Sequence, residues 1–217
     1  MPWSFLEGVP EEDRRRLLAA TRRRRFARRE VLFHEGDIGD TVHLLDRGRV
    51  AVRITTPLGE VATLRVRGPG EVIGEVALLH QSSRRTATVV ALERTETLML
   101  HRDAFAELRQ NHPSVDEFLL ALLADEVRRL SNLLVEALYV PAETRVLRRL
   151  SALTELYGEG GGAPEIPLTQ EDLASLAGTS RSTVNRVLGM IEKDGVVVVS
   201  RGRITVVDGI ALEKRAR

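Results

Sequence analysis

Between Pro167 and Glu192 the chain reads PLTQEDLASLAGTSRSTVNRVLGMIE, and three of its positions leave little choice of fold. Counted from Gln170, the fifth residue is Ala174, the ninth Gly178 and the fifteenth Val184. Two helices joined by a tight turn need a small side chain where they cross, and a residue tolerant of positive φ at the turn. They also need a β-branched side chain facing back onto the first helix. Any one of these carries no information alone; together, at these offsets, they predict a helix-turn-helix. Thr169 caps the first helix, with Asp172 three residues on as in a capping box. Leu173, Ala177, Val187 and Leu188 complete the apolar inside.

With that inside assigned, Arg181, Ser182, Asn185 and Arg186 face outward near the start of the second helix, where such a helix meets base edges in a major groove. Arg181 and Arg186 each carry a fork that matches guanine O6 and N7, or one of them holds a phosphate. Thr179, Ser180 and Thr183 suit phosphate contacts, helped by the helix N-terminus. VVVVSRGRITVV predicts a hairpin of Val196–Val199 and Ile204–Val207, with Arg201 and Arg203 at its tip as a wing able to touch the backbone. The alternative is a capped surface helix whose charge does nothing. The arginine clusters DRRRLL and TRRRRFARRE lack aromatic interleaving and hydroxyls. They read as the solvated face of a short helix and its exit, with Leu17, Leu18 and Phe26 inward.

The rest of the chain bounds the class. Its 217 residues suffice for one large or two small domains. The 32 basic residues nearly cancel 31 acidic ones, so any basic surface comes from placement. There are no cysteines, which removes disulfides, thiolate metal sites and cysteine-held iron–sulfur clusters together. No stretch approaches a signal peptide or a membrane span, so a cytoplasmic protein without a membrane partner is expected. The histidines are scattered without ligand spacing, so no metal is expected; a haem at His80 would be the exception. No hydrolytic constellation appears, and the chain is not read as an enzyme.

From about Phe26 to His101, short β-branched runs alternate with glycine-containing turns, predicting about eight strands in a barrel or sandwich. GEVALL, Gly74 to Leu79, interrupts them as a short helix. From Pro113 to Val140 the pattern turns helical, with Asn111 able to cap. Leu120, Leu123, Val127, Leu130, Leu134 and Ala137 recur at alternating steps of three and four, the seam of a helix pairing with a second copy. Phe118, Leu119, Leu122 and Leu133 form a second stripe that packs on the helix's own domain. Pro141 breaks the helix, and another amphipathic one follows before a glycine-rich loop. The expected organisation is residues 1–110, 111–140 and 141–217.

GEVIGEVALLHQSSRRTATVVAL is the other dense stretch. Gly74 and Glu75 open the short helix, whose bare amides suit an anion, and Arg85 and Thr86, starting ten residues after Glu75, open the next strand. A guanidinium and a hydroxyl suit a phosphate; an acid beside them suits a ligand that also brings hydroxyls, as a ribose phosphate does. The plainer alternative is that Glu75 and Arg85 pair with each other.

GEVALL with RRTATV, the long seam helix and the winged helix-turn-helix, in this order over about residues 5–207, resemble the cyclic-AMP receptor branch of the Crp–Fnr transcription regulators. The resemblance implies an α+β chain: a β-roll (the cyclic-nucleotide-binding jelly roll), a long dimerisation helix and a C-terminal winged helix-turn-helix. It implies cyclic AMP as effector, its phosphate held by Arg85 and Thr86 with the Ala77 amide, and its ribose by Gly74 and Glu75. It further implies a homodimer on a two-fold symmetric double-stranded DNA operator, with RNA polymerase as partner. Two departures stand out. The family pair that reads the adenine amino group, Thr-Ser or Thr-Asn, falls on Leu130 and Ser131, so half of that recognition is missing. Where glutamate commonly follows the first recognition arginine, this chain has Ser182, which implies a different operator half-site. The reading is a nucleotide-controlled DNA-binding regulator. The rivals are a regulator that needs no ligand and a cyclic-nucleotide module acting on a partner protein.

Overall fold

The computed structural model describes residues 3, 6–79, 84–158 and 163–217. The chain divides into two compact units, residues 1–54 with 64–130, and residues 55–63 with 131–217.

The first unit opens with α1 (Glu11–Ala19) and runs through β1 (Arg22–Phe26), β2 (Val31–Phe33), β3 (Thr41–Arg47), β4 (Val50–Thr55), β5 (Val61–Arg67) and β6 (Val72–Ile73). Then come α2 (Glu75–Leu79), β7 (Thr88–Ala91), β8 (Thr95–His101), α3 (Arg102–Asn111) and the long α4 (Pro113–Tyr139). The strands form two four-stranded sheets, in the orders β1-β8-β3-β6 and β2-β7-β4-β5. β3 shows why. Side chains alternate along a strand, yet four consecutive residues of β3, Val42 to Leu45, are buried. Val42 and Leu44 face a cluster with Leu17, Phe105, Leu108, Val115 and Leu119 from the helices. Leu45 faces Val50, Ile73 and Val89 between the sheets. One sheet is therefore covered on both faces, by the second sheet and by helices.

Three local expectations change. RRRRF is a strand, not a helix exit: β1 pairs with β8, its Arg23 and Arg25 are ion-paired to Glu96, and only Phe26 is buried. Asn111 does not cap α4; it is the last residue of α3, and His112 separates the two helices. Arg85 and Thr86 precede β7, which begins at Thr88.

The second unit holds α5 (Ala142–Tyr157), β9 (Glu165–Ile166), α6 (Gln170–Ala177), α7 (Arg181–Lys193), β10 (Val197–Ser200), β11 (Arg203–Val206) and α8 (Gly209–Ala216). Its core comes from Val146, Leu147, Leu150 and Leu153 of α5, Leu173, Ala174 and Ala177 of α6, and Val184, Val187, Leu188 and Ile191 of α7. Thr169 and Asp172 form the expected reciprocal capping box. The three-stranded sheet runs β10-β11-β9, with the wing strands offset by one residue from the expected hairpin. Arg145 ties the unit together: its guanidinium donates to the carbonyls of Val140, Ala177 and Gly178 at 2.8–3.0 Å. No described helix is long and apolar enough to cross a membrane.

Candidate functional site

In the first unit Gly74, Glu75, Ala77, Arg85 and Thr86 line one cavity of about 190 Å³, as their spacing suggested. Gly74 has φ +85°, and a methyl group on it would sit 2.3 Å from Arg85 Nη1. Arg85 is only 4% exposed. Its Nη1 donates to the Gly74 carbonyl, its Nη2 to Thr41 Oγ1, and its Cζ lies 4.1 Å from the centre of the Phe33 ring. Nε is buried without a partner among the described residues. Glu75 makes no ion pair with it within 4 Å; each Nη atom instead donates one hydrogen bond to an uncharged oxygen. Burial lowers the Arg85 pKa, and burial raises that of Glu75, offset in part by the charge of Arg67. This buried cation is held directly by a carbonyl, a hydroxyl and an aromatic face, and the carboxylates of Asp40, Asp37 and Glu75 act on it only without direct contact. An anion entering the cavity would add that contact.

The opposite wall was not legible from motifs. It comprises Val52, Leu64 and Arg67 of the sheet with Leu122, Leu123 and Glu126 of α4. Glu126 accepts from Arg129 and from Arg65, while Arg129 Nη1 donates to the Leu64 carbonyl. The hydrogen bond from Arg129 is the main reason its pKa falls to about 2. An acid three residues before an arginine was the available signal, and it is too common to single out. Leu123, expected on the pairing seam, is half-buried against this cavity. Leu130 and Ser131 are exposed and not among the lining residues. His80 lies outside the described residues.

Along α4 the other seam positions stand in solvent: Leu120, Val127, Leu130 and Leu134 are exposed, as is Ala137. Val135, Leu138 and Tyr139 extend the exposed apolar face to the helix end.

In the second unit α6 ends at Gly178, φ 58° and ψ 48°, and α7 starts three residues later. Ser180 is the N-cap, accepting from the Thr183 amide, and its hydroxyl also meets those of Ser182 and Thr183. It thus has a structural role beyond any phosphate contact. Arg181, Ser182, Asn185 and Arg186 are exposed, opposite the buried Val184, Val187 and Leu188, as the offsets required; Thr179 and Thr183 are half-buried. Arg181, Arg201 and Arg203 line one cleft between the start of α7 and the wing. Arg203 is ion-paired to Glu165 at 3.1 Å and Arg186 to Glu143 at 2.6 Å.

Comparison with known proteins shows which family these two units belong to. The cyclic nucleotide-binding domain family matches residues 23–112, and the Crp-like helix-turn-helix domain family matches residues 144–215. The chain is 36% identical over 191 residues to the cyclic AMP receptor protein of Thermus thermophilus, covering 88% of this chain and 86% of the other. This chain is a Crp-family transcription regulator. It is also 30% identical over 195 residues to the CRP-like cAMP-activated global transcriptional regulator of Mycobacterium tuberculosis, covering 88% and 87%. The crystal structure of the Thermus thermophilus catabolite activator protein superposes with a TM-score of 0.55 at 34% identity, covering 100% of this chain and 98% of that one. The Crp-family match places a nucleotide-binding β domain and a DNA-binding helix-turn-helix in one chain. Its family consists of regulators, not enzymes.

Proposed function

We propose that this regulator is a cytoplasmic homodimer that binds a two-fold symmetric operator under the control of a cyclic nucleotide, with cyclic AMP the first candidate and RNA polymerase its partner. The buried Arg85 carries this reading. Its Nη atoms, held by Thr41 and Gly74, fix a guanidinium with no carboxylate in direct contact, and a cyclic phosphate supplies a charge at contact distance. Thr86 adds a hydroxyl and Ala77 an amide; Glu75 and Gly74 face the ribose. Thermus and Mycobacterium relatives named for cyclic AMP support the choice of nucleotide. The exposed face of α4 supports pairing of two copies along Leu120, Val127, Leu130, Leu134 and Ala137, with Ser131 beside the seam for the nucleotide of either copy.

In this reading Arg181 and Arg186 read bases, with Ser182 and Asn185 beside them. Thr179, Ser180, Thr183, Arg201 and Arg203 hold phosphates. The nucleotide shifts a two-state balance toward the dimer whose α7 helices stand about 34 Å apart, one duplex turn. Moving from mostly off to mostly on requires roughly 10⁴-fold preference for the on state. Organisation into residues 1–110, 111–140 and 141–217 belongs to the same proposal.

A second reading has support at one position. Leu130 cannot donate or accept where a base would be read, and it completes an apolar seam, which favours a dimer active without ligand. Calorimetric titration of the nucleotide-stripped protein with cyclic AMP and cyclic GMP separates the two. Micromolar cyclic AMP binding at one site per subunit, lost in Arg85→Ala without loss of the dimer, is the expected outcome. Undiminished binding by Arg85→Ala overturns the pocket, and no heat with either nucleotide leaves the ligand-independent regulator.

A further inference from the structure

The two arginines of α7 have different surroundings. Among the described residues Arg181 makes no ion pair within 4 Å, and it lies with the wing arginines at the cleft. Arg186, in the middle of α7, has its Nη1 2.6 Å from Oε1 of Glu143, a residue in the first turn of α5. Both partners are solvent-accessible, with side chains 65% and 45% exposed. Pairs this exposed contribute roughly 0–1 kcal/mol to stability, so holding the fold together is not what sets this one apart. An acid at a helix start is favoured by the dipole wherever it faces; this one faces the outward side of the recognition helix, where a phosphate-rich surface docks.

A carboxylate there weakens attraction to every phosphate. What it offers in return follows from the guanidinium's shape. The planar fork has five N–H donors in fixed directions, on a stem with about 2 kcal/mol of rotamer entropy. With Nη1 on Glu143, one orientation of the plane is favoured before DNA arrives, and the remaining N–H groups of the fork stay available for a two-point contact with a base edge. An unpaired arginine would swing to the nearest phosphate, a contact that carries no sequence information.

We propose that Glu143 is a positioning residue for Arg186, trading general DNA affinity for discrimination at the base that Arg186 reads; this rests on the reading of Arg186 as a base contact. The test uses a duplex selected by the full-length protein from a random-sequence library with saturating cyclic AMP. Affinities are measured for that duplex, for versions with each guanine exchanged for adenine, and for an unrelated duplex, over roughly 50–200 mM salt. Glu143→Gln binds the unrelated duplex several-fold more tightly, steepens the salt dependence by about one charge, and loses about tenfold in discrimination at one guanine position. Glu143→Asp, which keeps the charge without the reach, also loses discrimination at the same position. In an Arg186→Ala background Glu143→Gln changes no discrimination. Arg186→Ala losing discrimination while Glu143→Gln keeps it overturns the positioning role alone. Arg186→Ala weakening every duplex equally overturns the base-contact reading beneath it. A uniform loss in Glu143→Gln that persists without Arg186 makes the residue structural. Failure to select any duplex overturns both readings.

Discussion

Gly74 and Gly178 both have positive φ, but for different reasons, and substitution separates them. Around Gly178 nothing lies within 4 Å of an added Cβ, so only the left-handed backbone resists a side chain. Gly178→Ala therefore lowers stability by about 1 kcal/mol in urea denaturation while leaving nucleotide binding unchanged. At Gly74 the obstacle is also Arg85, 2.3 Å from the added atom and already fixed by Thr41 and Phe33. Gly74→Ala is expected to fold, but with cyclic AMP affinity reduced at least tenfold in calorimetry; affinity equal to wild type would mean that Arg85 does not need its observed position. Residues such as these were legible because their constraint is local: a backbone angle or a fixed offset. Glu126 and Arg65 were not, since a cavity wall shared by a strand and a helix leaves no pattern in either segment.

Among elements, the long helix α4 carries the sharpest consequence. Its exposed Leu134 would be costly in water over the life of a monomer, and an apolar face of this extent calls for a partner. If two copies pair as proposed, Leu134→Glu is predicted to leave monomers in sedimentation velocity and to lower operator affinity at least a hundredfold; a dimer that survives places the seam elsewhere. The heptad steps made this face readable. Leu123 also lines the cavity, and a helix with two apolar stripes does not say which stripe a boundary residue joins. β1 was missed for an opposite reason: RRRRF has one buried side chain and no alternation. Its strand state comes from backbone pairing to β8 and from Glu96, 71 residues from Arg25 along the chain. Charge along such an outer strand also discourages further edge pairing. α3 escaped notice because only Phe105 and Leu108 are buried in it, too few for a period.

At the scale of the whole molecule, His43 couples stability to acidity. It is buried between Phe26 and Phe33, its Nδ1 3.0 Å from Thr97 Oγ1. Burial first, then the charge of Arg85, lowers its pKa from 6.5 to about 4. The unfolded chain therefore binds a proton below pH 6.5 that the folded one refuses until about pH 4. The unfolded state gains as pH falls through that window, and stability drops by about 3 kcal/mol at most from this group. Above pH 6.5 its contribution is constant. Urea midpoints measured at pH 7 and pH 5 should differ less in His43→Asn than in wild type; equal differences would assign the acid sensitivity to other groups.

The Arg145 clamp has a practical corollary. Because one guanidinium grips carbonyls at the end of α4 and at the turn between α6 and α7, these pieces share a frame. Spectroscopic labels at Leu138 and on the exposed side of α6 would keep a single separation with and without cyclic nucleotide. Such a pair is an internal ruler, a fixed length built into the molecule against which ligand-driven changes in any other distance can be calibrated.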